Sequence, residues 1–322
     1  MSSSKLSRRT VLKWSLGLPL AVAAPVAFGG CSAHSADELN IAAGEEGGVY
    51  FEFATLLSLA LVRHGIAKTS RAIATEASVQ NLNMLASGDA QLSLALADTV
   101  AQYRQDGHGS KPVALGRVYQ NYFHCISRAE SRIFTLDDLA GRRIGTGAAG
   151  SGTWVTGQRI LKAAGLPTAA RPPEEVKLGY ADGLEALKSG DIDALFLFGG
   201  MPVRGVAELA RHVDLRLMNL NDVLQSLRRS YPGLYDHVTI PGGTYPRVPE
   251  ASSIGVANLL MASESLDEDL VGRIVRMLVE HAQELIPEQT AGMQFLSPQS
   301  LISTAGQPLH PGARTAYRQL HG

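Results

Sequence analysis

The 322-residue chain holds only two cysteines, Cys31 and Cys125, and no Cys-x-x-Cys pair. A disulfide framework and a cysteine zinc site are thereby excluded, and the fold must stand on its hydrophobic core. Cys125, within an apolar stretch, reads as a small buried hydrophobe. The 9 histidines show no metal-ligand spacing, and neither a His-Glu-x-x-His sequence nor a Gly-x-Ser-x-Gly elbow occurs, so the common zinc- and serine-hydrolase signatures are missing. Charge of one sign is also lacking: 29 Lys and Arg against 30 Asp and Glu give a net charge of −1, which offers no electrostatic footprint for nucleic acid. What the chain has is 45% hydrophobic residues and 33 glycines, enough apolar content for one large or two medium α/β domains.

Long apolar runs are scarce too. The one long run, residues 14–28, follows Lys5, Arg8, Arg9 and Lys13 and is interrupted by Pro19 and Pro25. It is shorter than the roughly 20 residues that span a bilayer. Residues 1–30 therefore read as an export signal, set aside from fold reasoning. Ser7-Arg8-Arg9-Thr10-Val11-Leu12-Lys13 resembles a twin-arginine motif, and Cys31 after Gly29-Gly30 resembles a lipobox cysteine that would carry a lipid anchor. Soluble secretion, with cleavage after Ser35, is the alternative. Either way the chain is expected to be periplasmic or otherwise extracytoplasmic, touching a membrane through that lipid or through another protein.

An internal repeat gives the architecture. Leu82-Asn83-Met84-Leu85-Ala86-Ser87-Gly88-Asp89 and Leu184-Glu185-Ala186-Leu187-Lys188-Ser189-Gly190-Asp191 share the pattern L-x-x-L-x-S-G-D. In each, leucines at i and i+3 share a helix face and the glycine ends the helix. Strand signals follow at 90–97 and 192–198. Ser78 is expected to cap the first helix, and Asp182 with Glu185 forms a capping-box-like start for the second. Further strands are expected at 40–43, 113–118, 123–127, 142–144, 215–217 and 254–260, and helices at 50–63, 154–164 and 221–229. A strong amphipathic helix opens at Ser265 with Glu268 and carries Leu266, Leu270, Ile274, Met277 and Leu278 on one face. The alternation predicts an α/β chain with mostly parallel sheets in two lobes of similar design.

Residues 144–153 read Ile-Gly-Thr-Gly-Ala-Ala-Gly-Ser-Gly-Thr and allow two readings. Gly145, Gly147 and Gly150 match the dinucleotide fingerprint G-x-G-x-x-G, which would make the chain an exported NAD or flavin oxidoreductase. Gly150-Ser151-Gly152-Thr153 instead places bare amides at a helix start, where the helix dipole favours an anion. The preceding strand is short and basic, and Glu174 and Glu175 fall late, behind Pro172-Pro173. The fingerprint's strand and its acidic partner are thus poorly met, and the anion cradle is preferred.

Several further motifs occur in order: Gly47-Gly48-Val49-Tyr50; Ser78-Val79-Gln80-Asn81-Leu82 with Ala97-Asp98; Leu136-Asp137-Asp138-Leu139-Ala140-Gly141 leading to residues 150–153; Asp191-Ile192-Asp193-Ala194 leading to Gly199-Gly200-Met201-Pro202; Ile240-Pro241-Gly242-Gly243-Thr244-Tyr245; and Leu266-Asp267-Glu268-Asp269. Across residues 39–281 this order resembles the TAXI solute receptors of TRAP transporters. The resemblance implies a two-lobed periplasmic binding protein of the second type, a hinge of two crossover strands and a ligand between the lobes. Lobe one would comprise 39–123 plus 258–322, lobe two 124–257. It also implies a non-enzyme without cofactor, whose partners are a small carboxylated solute, glutamate- or dicarboxylate-like, and an integral membrane TRAP permease. A periplasmic sensor subunit for a histidine kinase is the alternative.

The expected ligand contacts are Tyr50, Ser78, Asn81, Asp98, Tyr119, Gly147, Ser151, Gly152, Thr153, Gly200, Met201 and Pro202. Asn81 has a second reading as a loop brace, and Asp98 as a group that orders its neighbours. No role is assigned to Arg117 or Arg204. Glu46, Glu52, Glu76-Ala77 and Gln120-Asn121 depart from the family pattern, and extra carboxylates near an anion site point to a ligand that also carries a cation.

Overall fold

The computed structural model describes residues 35–107, 112–287 and 296–321. The expected export signal and Cys31 lie outside the described residues. In the first part of the chain, strands alternate with helices: β1 (Ala36–Ala42), α1 (Val49–Arg63), β2 (Ala67–Ile73), α2 (Ser78–Ser87), β3 (Leu92–Leu96) and α3 (Ala97–Gln105). Strand β4 (Pro112–Arg128) then carries the chain onward. A second alternation follows: β5 (Arg143–Gly145), α4 (Gly152–Ala163), β6 (Glu174–Val176), α5 (Tyr180–Ser189), β7 (Ala194–Gly199), α6 (Arg204–His212), β8 (Leu215–Leu217), α7 (Asn221–Ser230) and β9 (Asp236–Ile240). Strand β10 (Ala251–Ser263) returns, and α8 (Glu268–Glu280), α9 (Pro298–Leu301) and α10 (Pro311–His321) close the fold. Among the described residues no helix is long and apolar enough to cross a membrane.

The strands form one mixed sheet in the order β2-β1-β3-β10-β4-β7-β5-β6, with β8 on β4 and β9 on β10. β1 is parallel to β2 and β3, and β5 is parallel to β6 and β7. β4 and β10 run antiparallel to each other along nine register pairs from Gly255↔Tyr122 to Ser263↔Pro112. At about 3.3 Å per residue the 17 residues of β4 reach about 55 Å, long enough to serve both halves. Its first part pairs β10, and residues 122–127 pair β7. The result is an α/β fold of two parallel βα sets, β1–β3 and β5–β7, joined through β4 and β10.

Periodicity places the cores. In α1, Phe53, Leu57 and Leu61 are buried, and in α8 so are Leu270, Ile274, Met277 and Leu278. The two helices share one apolar cluster with Leu92 and Leu94 of β3. Both copies of the repeat end as expected, with Gly88 at φ 84° and Gly190 at φ 89° capping α2 and α5 in the left-handed region.

Four local expectations are corrected. Residues 113–118 and 123–127 are one strand, because the polar Gln120 and Asn121 between them are themselves buried in the sheet. Ser78 is the first residue of α2 rather than its cap; Ala77 holds that position, and the Ser78 hydroxyl accepts the Leu96 N–H at 3.1 Å. Helix α5 starts before Asp182, at Tyr180, because the Glu45 carboxylate takes the Tyr180 N–H with both oxygens at 2.9 and 3.0 Å. Helix α8 is capped by Asp267, whose Oδ1 accepts the Leu270 N–H at 2.8 Å. Ser265 is turned instead toward Ser263, Oγ to Oγ 2.9 Å.

Candidate functional site

A cavity of about 130 Å³ opens where the loops after the parallel strands meet. That is the crevice beyond the carboxyl ends of strands where α/β folds bind ligands. Its volume is close to that of cavities that take a benzene-sized molecule. Five helices begin on its wall: α1 at Gly48-Val49, α2 at Ala77-Ser78, α4 at Ser151-Gly152, α5 at Gly179-Tyr180 and α6 at Val203-Arg204. Each brings amide N–H groups and the positive end of a helix dipole toward the same volume.

The local sequence explains these starts. Ser151 caps α4, its Oγ accepting the Trp154 N–H at 3.1 Å. Gly147, at φ 91°, turns the chain so tightly that an added Cβ would lie 2.7 Å from the Ser151 Oγ. Ala77 holds φ 73° and ψ −144°, a region almost reserved for glycine. Its N–H is taken by the Thr75 Oγ1 at 3.1 Å, which helps hold the strained turn that sets the α2 terminus on the cavity. Two contacts cross between the chain's halves here: the Val79 N–H donates to the Gly150 carbonyl at 3.2 Å, and Glu45 reaches α5.

Of the sequence candidates, Tyr50, Ser78, Gly147, Ser151, Gly152, Thr153 and Pro202 line the cavity. Asn81 stands behind it as a brace: its amide nitrogen donates to the carbonyls of Ala43 and Leu94, and its oxygen accepts from Thr75 at 2.5 Å. Tyr119 forms a second layer, edge-on to Tyr50 and Phe53 at centroid distances of 6.3 and 5.6 Å. Asp98 is turned away into a buried network with Thr156, Tyr235 and Arg159. Gly200 and Met201 do not line the cavity. The sequence reading missed Glu45, Tyr180 and Asn121 as wall residues and passed over Arg204. Tyr180 and Glu45 carry no motif, and only the fold brings their loops together.

The wall's polar groups are mostly donors. The Tyr50 hydroxyl lies beside Ser78 and Asn121, and burial pushes its phenol well above the usual range against their lowering pull. Among the described residues neither the Tyr50 hydroxyl nor the Asn121 amide nitrogen completes a hydrogen bond. Buried polar groups are rarely left so, and both residues line the cavity. Carboxylates stand on the same wall: Glu45, Glu52 and Glu76. Burial raises the Glu52 pKa, and Arg204 pulls it back down.

One wall segment is held from behind by a buried histidine. The His124 Nδ1 is 2.9 Å from the Tyr122 carbonyl, its Nε2 is 2.8 Å from the Tyr245 hydroxyl, and that hydroxyl accepts the Val203 N–H at 3.0 Å. The chain closes with neutral imidazole: Nδ1–H donates, Nε2 accepts from Tyr245, and Tyr245 anchors the start of α6. Burial lowers the His124 pKa from 6.5 to about 4, against the opposing pull of the Tyr122 carbonyl. The unfolded chain therefore binds a proton in this window that the folded chain refuses. Its contribution to stability is complete above about pH 6.5 and is lost as pH falls toward 4, a total of about 3 kcal/mol. Urea unfolding at pH 7 and pH 4.5 is expected to show this loss. In His124→Gln, which keeps a donor and an acceptor, the loss is expected to shrink by about that amount. An equal loss in both proteins would refute the neutral buried histidine.

Comparison with known proteins agrees with this architecture. A protein of Bordetella bronchiseptica RB50 superposes with a TM-score of 0.56 at 14% identity, over 88% of this chain and 98% of that one. The periplasmic binding protein BugD gives 0.55 at 12%, over 88% and 95%. The alkanesulfonate-binding protein SsuA from Xanthomonas axonopodis pv. citri, bound to MOPS, gives 0.51 at 17%, over 89% and 85%. At such identities the likeness is one of fold. The sequence profile of the NMT1-like family matches residues 41–319, from β1 into α10, and the chain belongs to that family.

Proposed function

We propose that the protein is an extracytoplasmic solute receptor without catalysis. It captures a small carboxylated solute, glutamate- or dicarboxylate-like, by closing its lobes and delivers it to an integral membrane permease. The observation that carries this reading is the convergence of five helix N-termini, with the Tyr50 and Asn121 side chains among them, on one small cavity. Such a wall favours an anion held by dipoles and amides. The ordered motifs resembling TAXI receptors support a TRAP permease as the partner. The wall carboxylates Glu52 and Glu76, with Arg204 beside Glu52, favour a solute that carries a cationic group as well. A second reading, an alkanesulfonate, draws on the same cradle and on the fold shared with SsuA.

The test is a thermal-shift screen of amino acids, dicarboxylates and alkanesulfonates against the purified protein. A true ligand at 100 times its dissociation constant stabilises by about 2.7 kcal/mol, a rise of several degrees in Tm. If only sulfonates respond, the carboxylate assignment falls. If no anionic solute responds, the receptor reading falls with it.

A further inference from the structure

Remote from the cavity, His64, His281 and Glu284 place one ligand atom each within 4.8 Å of one another. We propose that these three side chains form a zinc site at the far end of α1, with water as the fourth ligand. Nothing in the solute-receptor reading uses them.

The fold assembles the group from two distant segments. His64 directly follows the last residue of α1, Arg63, whereas the first turn of α1 lines the solute cavity. The 15 residues between rise about 22 Å. His281 directly follows α8, and Glu284 lies three residues on, in the short 3-10 turn Ala282–Leu285. In that turn side chains at i and i+3 eclipse, so the pair projects together toward His64. All three are partly exposed, with side-chain exposures of 23%, 37% and 29% for His64, His281 and Glu284. An ion can reach them without unfolding the chain.

The distances favour a metal over a plain ion pair. The His64 Nε2 is 3.2 Å and the His281 Nδ1 is 3.3 Å from the same oxygen, Glu284 Oε1. A charge-assisted hydrogen bond closes to about 2.7–2.9 Å. Donors about 2.0–2.1 Å from a tetrahedral Zn²⁺ stand about 3.3–3.4 Å apart; the two histidine–carboxylate separations match that edge, and all three ligand atoms lie within 4.8 Å of one another. Arg63 holds Oε2, Nη1 to Oε2 2.6 Å, and the His64 Nε2 faces both carboxylate oxygens, 3.2 Å from Oε1 and 3.3 Å from Oε2. The imidazoles stack with centroids 3.7 Å apart and a tilt of 24°. Their lone pairs lie in the ring planes, so taking up the ion tilts the stack open as the two nitrogens converge. Two imidazoles and one carboxylate, with no thiolate, suit Zn²⁺ and other late first-row ions rather than Mg²⁺ or Ca²⁺. The bound ion would tie the end of α1 to the end of α8, two helices of one apolar cluster.

Isothermal titration of the full chain with ZnCl2 at pH 7.5 tests the site, with MgCl2 and CaCl2 as controls. The expected result is one Zn²⁺ per chain and no response to Mg²⁺ or Ca²⁺. His64→Ala and Glu284→Gln each remove a ligand and are expected to weaken Zn²⁺ binding by about a hundredfold or more, beyond the roughly 10–100-fold of an outer-shell partner. Circular dichroism checks that both variants stay folded. No Zn²⁺ binding at pH 7.5, or unchanged affinity in the His64→Ala, His281→Ala double variant, overturns the proposal.

Discussion

Asp98→Ala is expected to destabilise the folded chain by about 3–5 kcal/mol, the cost of removing one partner from a buried charge pair. Asp98 is fully buried near the start of α3, and Arg159 on α4 is only 7% exposed. The Asp98 Oδ2 accepts the Thr156 hydroxyl at 2.6 Å and the Tyr235 hydroxyl at 2.9 Å, and stands 3.7 Å from the Arg159 Nη1. Arg159 donates to the Tyr235 hydroxyl at 2.9 Å, the Gln102 Oε1 at 3.1 Å and the Asp98 main-chain carbonyl at 3.4 Å, and its guanidinium lies 4.2 Å above the Tyr231 ring. Truncating Asp98 strands that guanidinium away from water and leaves two hydroxyls without their acceptor. The double variant Asp98→Ala, Arg159→Met is expected to recover much of the loss, because it removes the stranded charge together with its partner. Urea unfolding measures both. A loss below about 1 kcal/mol in Asp98→Ala would show that the network is not what ties α3 to α4.

The same residue shows what sequence reading can and cannot reach. Its place after a strand, in a family motif, made it a candidate ligand contact or an ordering group. Its three polar partners lie 58, 61 and 137 residues away, a separation at which no local pattern speaks. The glycine punctuation was legible because Gly88 and Gly190 solve a local problem, ending a helix in the left-handed region. The helix start at residues 150–153 was legible from local sequence too. The Glu45 cap on α5 was not, since a carboxylate 135 residues upstream replaces the cap the local sequence offered. Strand β2 escaped because it forms the sheet edge and reads Ala-Lys-Thr-Ser-Arg-Ala-Ile, where no two-sided apolar cover is required. The zinc candidate escaped because His64 and Glu284 meet only through the packing of α1 on the turn after α8.

Gly152→Ala is expected to cut solute affinity by about a hundredfold or more while leaving the unliganded protein folded. Gly152 is the first residue of α4, in the segment between the crossing strands, and faces the first half of the chain. A Cβ at this position would lie 2.6 Å from the Leu96 Cδ1 and 2.8 Å from the Ser78 Oγ. The Ser78 hydroxyl is held by the Leu96 N–H, so it gives way only by breaking that bond. The backbone at Gly152 has no positive φ, and alanine suits a helix start in the isolated segment. The penalty therefore falls on the approach of the two halves. If the methyl favours the open arrangement by about 2.7 kcal/mol, the competent fraction drops about a hundredfold and the apparent Kd rises by the same factor. Titration with the solute identified by the thermal screen reads the affinity, and small-angle scattering of the unliganded variant reads the opening as a larger radius of gyration. Wild-type affinity in Gly152→Ala would mean that the solute does not require these walls to meet. Lost affinity with an unchanged radius would place the methyl's effect on the ligand itself.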